Sequence, residues 1–254
     1  MKKVFGLTLV ILANLAWGIP REVRLGMEGL GYLNIGGASF CNAVMISPSY
    51  ALTNNHCVST QEACDETFMV FTRDGEERIG SYQCRRVLAT GDKGEAGLDY
   101  TLLEFEDYPG FWHGSVPLAD MSDSVKYPKE GFEIWRLKVD PPGFIKRRSL
   151  PSYALCFGKL ATDTTEYMSV DPDYLDRPCH TQQGNSGGAF LDGDGKLLGL
   201  TAQGELDEKE SHPEINDIVL KELKGPTIRT ILLKIPHLKD LIKKDVPMGD
   251  FFNL

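Results

Sequence analysis

The sequence has few of the features that mark membrane, repeat or nucleic-acid-binding proteins. Beyond residue 18 it contains no further candidate for a membrane span, and it shows no internal repeat or low-complexity segment. Basic residues are in the minority, with 27 Lys and Arg against 36 Asp and Glu and a formal net charge of −9. An acidic chain of this kind does not favour nucleic acid or anionic lipid as a partner.

The one long apolar run lies at the amino terminus and predicts a secretory signal peptide. Lys2 and Lys3 precede an apolar stretch over residues 4–13, and small residues up to Gly18 suit a signal peptidase. The stretch is too short to span a bilayer comfortably, and no cysteine follows it to accept a lipid. We expect residues 1–18 to be removed, which takes the net charge from −9 to −11. The mature protein is then secreted or periplasmic, without stable membrane insertion.

The six cysteines lack the CxxC spacing and the clustered histidines that typify zinc sites, so no metal is expected. In an exported chain they predict disulfides instead. Many pairings are possible, and proximity along the chain suggests Cys64 with Cys84 and Cys156 with Cys179.

Short runs of β-branched and aromatic residues predict an all-β fold, either a barrel or a sandwich. Examples are residues 43–46, 67–72 and 100–105, each bounded by turn-forming residues. Helix signals are scarce until the end of the chain. Residues 226–233 predict a last strand, and the spacing of Leu238, Leu241 and Ile242 after Pro236 predicts a short terminal helix.

Three motifs together provide the parts of an acyl-transfer site. Ser186 lies in the run Gly184-Asn185-Ser186-Gly187-Gly188, His56 lies beside Cys57, and Asp99 precedes an apolar strand. A serine hydroxyl needs an imidazole to take its proton, and a buried carboxylate fixes the imidazole tautomer. A glycine turn lets the N–H groups of Gly184 and Ser186 converge as an oxyanion hole. We therefore assign Ser186 as nucleophile, His56 as general base and Asp99 as its orienting group.

In their order His, Asp, Ser and in their flanking residues, these motifs resemble the chymotrypsin/trypsin family of serine proteases, over roughly residues 33–245. The resemblance implies two six-stranded antiparallel β-barrels, over residues 19–125 and 126–254, with the terminal helix on the second. It implies cleavage of protein or peptide substrates in the cleft between the barrels, without a cofactor. It also implies a Cys41–Cys57 bridge that clamps the histidine loop. Nothing in the sequence demands more than a monomer.

Two departures from the family pattern bear on activation and specificity. Asn185 stands where activatable digestive proteases carry an aspartate that pairs with a new amino terminus, so that switch is in doubt. Asn185 and the segment that leads to His56 are closer to the bacterial glutamyl-endopeptidase-like branch. His180, six residues before the nucleophile, replaces the aspartate of trypsin-like enzymes, which argues against cleavage after Lys or Arg.

The predicted substrate pocket suggests a preference for an acidic residue before the scissile bond. Thr181 matches a threonine that glutamyl endopeptidases use near the substrate carboxylate, but the histidine that they carry after a Gly-apolar pair is Thr201 here. His180 could replace that imidazole, or it could hold the loop beside Cys179; both interpretations stay open. The remaining wall, expected to pair with extended substrate as an added strand, comprises Thr201, Ala202, Gln203 and Gly204.

Two other functions compete with a protease. A catalytically idle, protease-like binding protein would usually lack a triad member or the oxyanion glycine, and all of these are present. An esterase would place its serine in a Gly-x-Ser-x-Gly elbow with the chain order Ser, Asp, His. The order found here opposes that alternative.

Overall fold

The computed structural model describes residues 19–37, 39–72, 79–140, 150–162, 166–171, 179, 184–206 and 220–246. The helices within these ranges are α1 (Arg21–Glu28), α2 (Gln61–Asp65), α3 (Pro109–His113), α4 (Ile228–Lys234) and α5 (Leu238–Lys244). The strands of the first half are β1 (Leu30–Ile35), β2 (Ser39–Met45), β3 (Tyr50–Thr53), β4 (Thr67–Phe71), β5 (Gly80–Thr90) and β6 (Thr101–Phe105). Those of the second half are β7 (Phe132–Asp140), β8 (Leu150–Thr162), β9 (Glu166–Asp171), β10 (Ala189–Leu191), β11 (Leu197–Leu200), β12 (Gln203–Leu206) and β13 (Leu220–Pro226).

The first six strands close into an antiparallel barrel in the order β1-β2-β3-β6-β5-β4, as predicted. Its interior is filled by fully buried apolar side chains such as Leu33, Met69 and Leu103. Strands β3 and β6 pair with Thr53 opposite Thr101. This register brings the residues that follow β3 next to those that precede β6, although they lie more than forty positions apart.

The second half is a single curled sheet of seven strands, in the order β11-β10-β7-β8-β9-β13-β12. The all-β prediction is confirmed, but this sheet has one strand more than the six expected. The additional strand arises because Gln203 and Gly204 pair with Lys224 and Leu223, so that β12 joins the sheet beside β13.

The predicted last strand over residues 226–233 is wrong. Strand β13 ends at Pro226 and helix α4 follows, with the Thr227 hydroxyl accepting a hydrogen bond from the Thr230 N–H at 3.2 Å. Threonine is a favourable N-cap, and Ile228 and Ile231 then lie buried on one face of the helix. Tertiary packing outweighs the β-propensity of these residues. The terminal helix is present as α5, and none of the described helices is long and apolar enough to cross a membrane.

Three disulfides join Cys41 to Cys57, Cys64 to Cys84 and Cys156 to Cys179. The first ties β2 to the turn after β3. The second ties α2 to β5, and the third ties β8 to the segment before residue 184. Such a framework fits a protein that folds in an oxidising, extracellular or periplasmic compartment.

Contacts between distant segments join the two halves. Helix α1 packs on the second sheet, where a Cβ on Gly26 would meet the Leu191 side chain at 2.6 Å. At the other end, the Asp245 carboxylate accepts hydrogen bonds from the Ser47 hydroxyl at 2.5 Å and from the Ser49 N–H and hydroxyl at 2.7 and 2.5 Å. The residue after α5 thus fixes the turn between β2 and β3.

Asp192 holds the turn between β10 and β11. Its contacts indicate that the stability of the folded protein falls at acidic pH. Its buried carboxylate accepts hydrogen bonds from Tyr127 at 2.6 Å and from the backbone N–H of Lys196 at 2.9 Å, and it pairs with Lys126 at 2.8 Å. Burial alone would raise the pKa of Asp192, but these partners outweigh it, so the pKa lies below its usual value. The carboxylate therefore contributes stability above the unfolded-state pKa of about 4, and this contribution is lost as the pH falls through the lower folded-state value.

We expect Asp192→Asn to lower the free energy of unfolding by about 2 kcal/mol at neutral pH. The difference from the native protein should shrink as the pH falls below about 4 and through the lower folded-state pKa, because protonation then removes the carboxylate. Urea unfolding at neutral pH and over a series of acidic pH values measures it. Asp194→Asn is the matched control, because Asp194 also pairs with Lys126 but is 64% exposed. Equal losses in the two variants would contradict a special role for Asp192.

Candidate active site

His56 and Asp99 form a hydrogen-bonded pair at the end of the first barrel. His56 lies in the turn after β3, Asp99 lies just before β6, and His56 Nδ1 is 2.6 Å from Asp99 Oδ2. The Asp99 side chain is 1% exposed and that of His56 is 34% exposed. Because an ionised carboxylate only accepts, the shared hydrogen belongs to Nδ1, and Nε2 is the ring nitrogen able to accept a proton.

The surroundings fix this pair from both sides. The other Asp99 carboxylate oxygen accepts the backbone N–H of His56 at 3.1 Å, and the Asn54 amide donates to the Asp99 carbonyl at 2.7 Å. The Cys41–Cys57 disulfide then ties the residue after His56 to strand β2. Within the described residues, His56 and these two cysteines are the group whose atoms lie close enough to hold a metal, but both sulfurs are already bonded to each other.

The turn that carries Ser186 packs directly against the strands that lead to His56. The Asn42 N–H on β2 donates to the Ser186 carbonyl at 2.5 Å. Gly187 has φ +81°, and a Cβ there would clash with the Asn42 carbonyl and approach the Thr53 hydroxyl. Glycine is therefore required at this close approach. The structure thus places the Ser186 turn against β2 and the end of β3, the strand that leads into the turn of His56.

Asn42 holds the same turn with its side chain. Its fully buried amide donates to the Gly184 carbonyl at 2.7 Å and to the Val139 carbonyl at 3.0 Å, and its Oδ1 accepts the Val139 N–H at 2.5 Å. One amide thus joins β2, β7 and the peptide group that follows Gly184. Gly184 has φ +90°, a conformation that favours glycine. Asn42 is not among the residues that the sequence predicts for the site, although it is the one polar residue in the otherwise apolar run 40–46.

Two side chains of strand β7 form hydrogen bonds with the side chain of Asn185. It is fully buried, its Oδ1 accepts from Lys138 Nζ at 3.1 Å, and its Nδ2 donates to Asp140 Oδ1 at 2.9 Å. Lys138 and Asp140 also pair with each other at 2.9 Å. Burial and the nearby Arg136 lower the pKa of Lys138, while Asp140 opposes the shift. The turn before Ser186 is thus held by side chains within the fold, at the position where the sequence lacks the family's aspartate.

The predicted pocket residues are only partly within the described structure. His180 and Thr181 lie outside the described residues. The Thr201 N–H donates to the Gly188 carbonyl and its carbonyl accepts the Gly187 N–H, both at 2.7 Å, so Thr201 lies against the Ser186 turn. Ala202 is also buried, and its N–H donates to the Lys224 carbonyl.

Gln203 and Gly204 are exposed at the start of β12, the terminal strand of the described sheet. One edge of β12 pairs with β13, and the opposite edge pairs with no other strand of the described sheet.

Comparisons with known proteins agree with this architecture. Residues 41–200 match the model of the trypsin-like peptidase domain. A Glu endopeptidase structure is 18% identical, covers 85% of this chain and 91% of its own, and has a TM-score of 0.58. The thermostable serine protease AL20 of an extremophilic microorganism is 13% identical, with coverages of 87% and 99% and a TM-score of 0.60.

A third similar structure is an inactivated protease paralogue of the scabies mite, 15% identical, with coverages of 86% and 96% and a TM-score of 0.61. At these identities the structural likenesses concern the fold. A comparison of the sequence with curated proteins finds no match.

Proposed function

Because the chain belongs to the trypsin-like peptidase family, we propose that it is a serine endopeptidase that uses Ser186, His56 and Asp99. The observation that carries the proposal is the 2.6 Å bond between His56 and Asp99, beside a turn that holds Ser186 against the same barrel. An idle binding protein does not require this pair, so its presence favours an enzyme.

The proposed reaction proceeds in two acyl-transfer steps. Ser186 Oγ attacks the scissile carbonyl while His56 Nε2 takes its proton, and Asp99 stabilises the imidazolium that forms. The N–H groups of Gly184 and Ser186 donate to the oxyanion. The imidazolium then protonates the departing amine, which leaves an ester on Ser186. Water attacks this ester with His56 as base, and the acid product and free Ser186 are released.

Two finer proposals concern specificity and export. A preference for an acidic residue before the scissile bond is supported by Thr181 and His180 in the sequence and by the structural likeness to a Glu endopeptidase. Export is supported by the apolar run within residues 1–18 and by the three disulfides. Protein or peptide substrates follow from the family, and we propose that the mature protein acts as a monomer without membrane insertion.

The test is digestion of a diverse peptide library by the oxidised mature protein, with products identified by mass spectrometry. An organophosphonate probe, which reacts only with an activated serine, is applied in parallel, and Ser186→Ala is the control for both. We expect cleavage and labelling that the control loses, with Glu or Asp enriched before the cuts. A folded protein that neither cleaves nor labels would support the idle binding protein instead. Cuts confined to positions after Phe, Leu, Lys or Arg would contradict the acidic preference alone.

We expect that removing the Asn42 amide donor lowers turnover more than substrate binding. Replacing Asn42 with Asp keeps an acceptor for the Val139 N–H but removes the donor to the Gly184 carbonyl. Without this bond the Gly184–Asn185 peptide is no longer held in place between the two proposed oxyanion donors, the N–H groups of Gly184 and Ser186, and we expect kcat to fall by about a hundredfold with little change in KM. Steady-state kinetics, with the active fraction measured by the probe, test this. Asn34→Asp, near the end of β1 where the side chain is half-buried, is the matched control, and equal kinetics in the two variants would contradict the prediction.

A further inference from the structure

Arg136 is a charged side chain buried in the sheet next to the Ser186 turn. It lies on β7, only 2% of it is exposed, and burial lowers the pKa of its guanidinium to about 10. It therefore remains a cation at neutral pH. In the register of the sheet, Arg136 is opposite Phe190 of β10, and Phe190 is opposite Gly199 of β11. Residues paired in this way present their side chains on the same face.

The guanidinium approaches the wall beside the nucleophile through Thr201. Arg136 Nε lies 3.5 Å from Thr201 Oγ1, a long hydrogen bond. Thr201 is in turn bonded through both of its backbone groups to Gly187 and Gly188, the two residues that follow Ser186. One side chain thus separates a buried cation from the turn of the nucleophile.

The Thr201 hydroxyl is placed to pass the effect of the Arg136 charge on to a third group. When its hydroxyl oxygen accepts from the Arg136 N–H, the hydroxyl hydrogen remains available to a third group. A hydroxyl polarised in this way donates best to an anion, since a charged partner strengthens the hydrogen bond. The charge acts through a buried region, where solvent screens it less than at the surface.

We propose that Arg136, acting through the Thr201 hydroxyl, is the specificity-determining cation that selects a carboxylate side chain before the scissile bond. This inference rests on the proposed function and gives its acidic preference a physical source. It places the charge beneath the pocket wall, on β7, rather than on the loop of His180. Arg136 does not touch the reacting atoms in this arrangement. Its contribution is to the electrostatic potential that the substrate side chain meets.

The experiment uses peptides that differ only in Glu or Gln before the cleaved bond, because this pair changes charge at nearly constant shape. The measured quantity is the ratio of kcat/KM for Glu to that for Gln. We expect Arg136→Met and Thr201→Val each to lower this ratio by about tenfold or more relative to the native enzyme. Lys159→Met, which removes an exposed cation from β8 of the same sheet, should leave the ratio unchanged.

Labelling by the organophosphonate separates the possible failures. If the native protein is not labelled by the probe, the proposed function is contradicted, and this inference is contradicted with it. Labelled variants whose Glu-to-Gln ratio equals that of the native enzyme overturn the role of Arg136 while leaving the protease intact. If Arg136→Met does not fold, the nearly isosteric Thr201→Val decides alone: a lowered ratio supports the inference, and an unchanged ratio overturns it.

Discussion

Replacing Ser186 with alanine is expected to lower kcat by about a millionfold, and His56→Ala should cost as much. The reason is that the two groups act as a unit. Without the imidazole the hydroxyl keeps its proton, and without the hydroxyl the imidazole has nothing to activate. The double variant should therefore be no slower than either single variant, with a residual rate set by the oxyanion donors and by substrate binding.

Single-turnover kinetics on one good peptide substrate, compared among both single variants and the double variant, measure this coupling. His237→Ala is the matched control, because His237 is exposed just before α5 and lies outside the site. Losses that multiply in the double variant would show that the two residues act independently. A Ser186→Ala protein that still cleaves would assign the nucleophile elsewhere.

The second largest effect is expected from Asp99→Asn, which should lower kcat by about ten-thousandfold while the protein stays folded. An amide has nearly the same shape as a carboxylate, but its NH₂ group can donate to His56 Nδ1. That donation would place the ring hydrogen on Nε2, where it blocks proton transfer from Ser186. The 2.6 Å bond would then hold the wrong tautomer.

Steady-state kinetics together with a thermal-unfolding scan separate loss of the tautomer from loss of the fold. Asp92→Asn provides the comparison, because Asp92 is an exposed aspartate on the segment that leads to Asp99. A variant with Asn at position 99 that retains more than a tenth of native kcat would argue against His56 as the general base.

The sequence predicts the first half of the molecule well because its signals are local. Apolar runs bounded by turn residues form the six-stranded barrel, and the motifs that hold His56 and Asp99 lie at strand ends that pair with each other. The order of these motifs also indicates the family that residues 41–200 match.

Three features could not be predicted from the sequence, each for a physical reason. Helix α4 is rich in β-branched residues, and burial of one face together with the Thr227 cap decides its conformation. Asn42 is a single polar residue in an apolar run, whereas Arg136 is one of four charged residues on β7. The partners of both come from distant strands and turns. A pattern along one strand cannot show that an amide will hold Gly184, or that a guanidinium will reach Thr201.

The bond between Asp245 and the turn of Ser47 and Ser49 has a consequence for how the protein matures. These groups are 196 and 198 positions apart, so the turn obtains its partner only after almost all of the described chain has been synthesised. A contact of such high sequence separation is slow to form, because the whole intervening chain must first be confined. The turn between β2 and β3 is therefore anchored last, although the two strands that it joins are among the first that can pair.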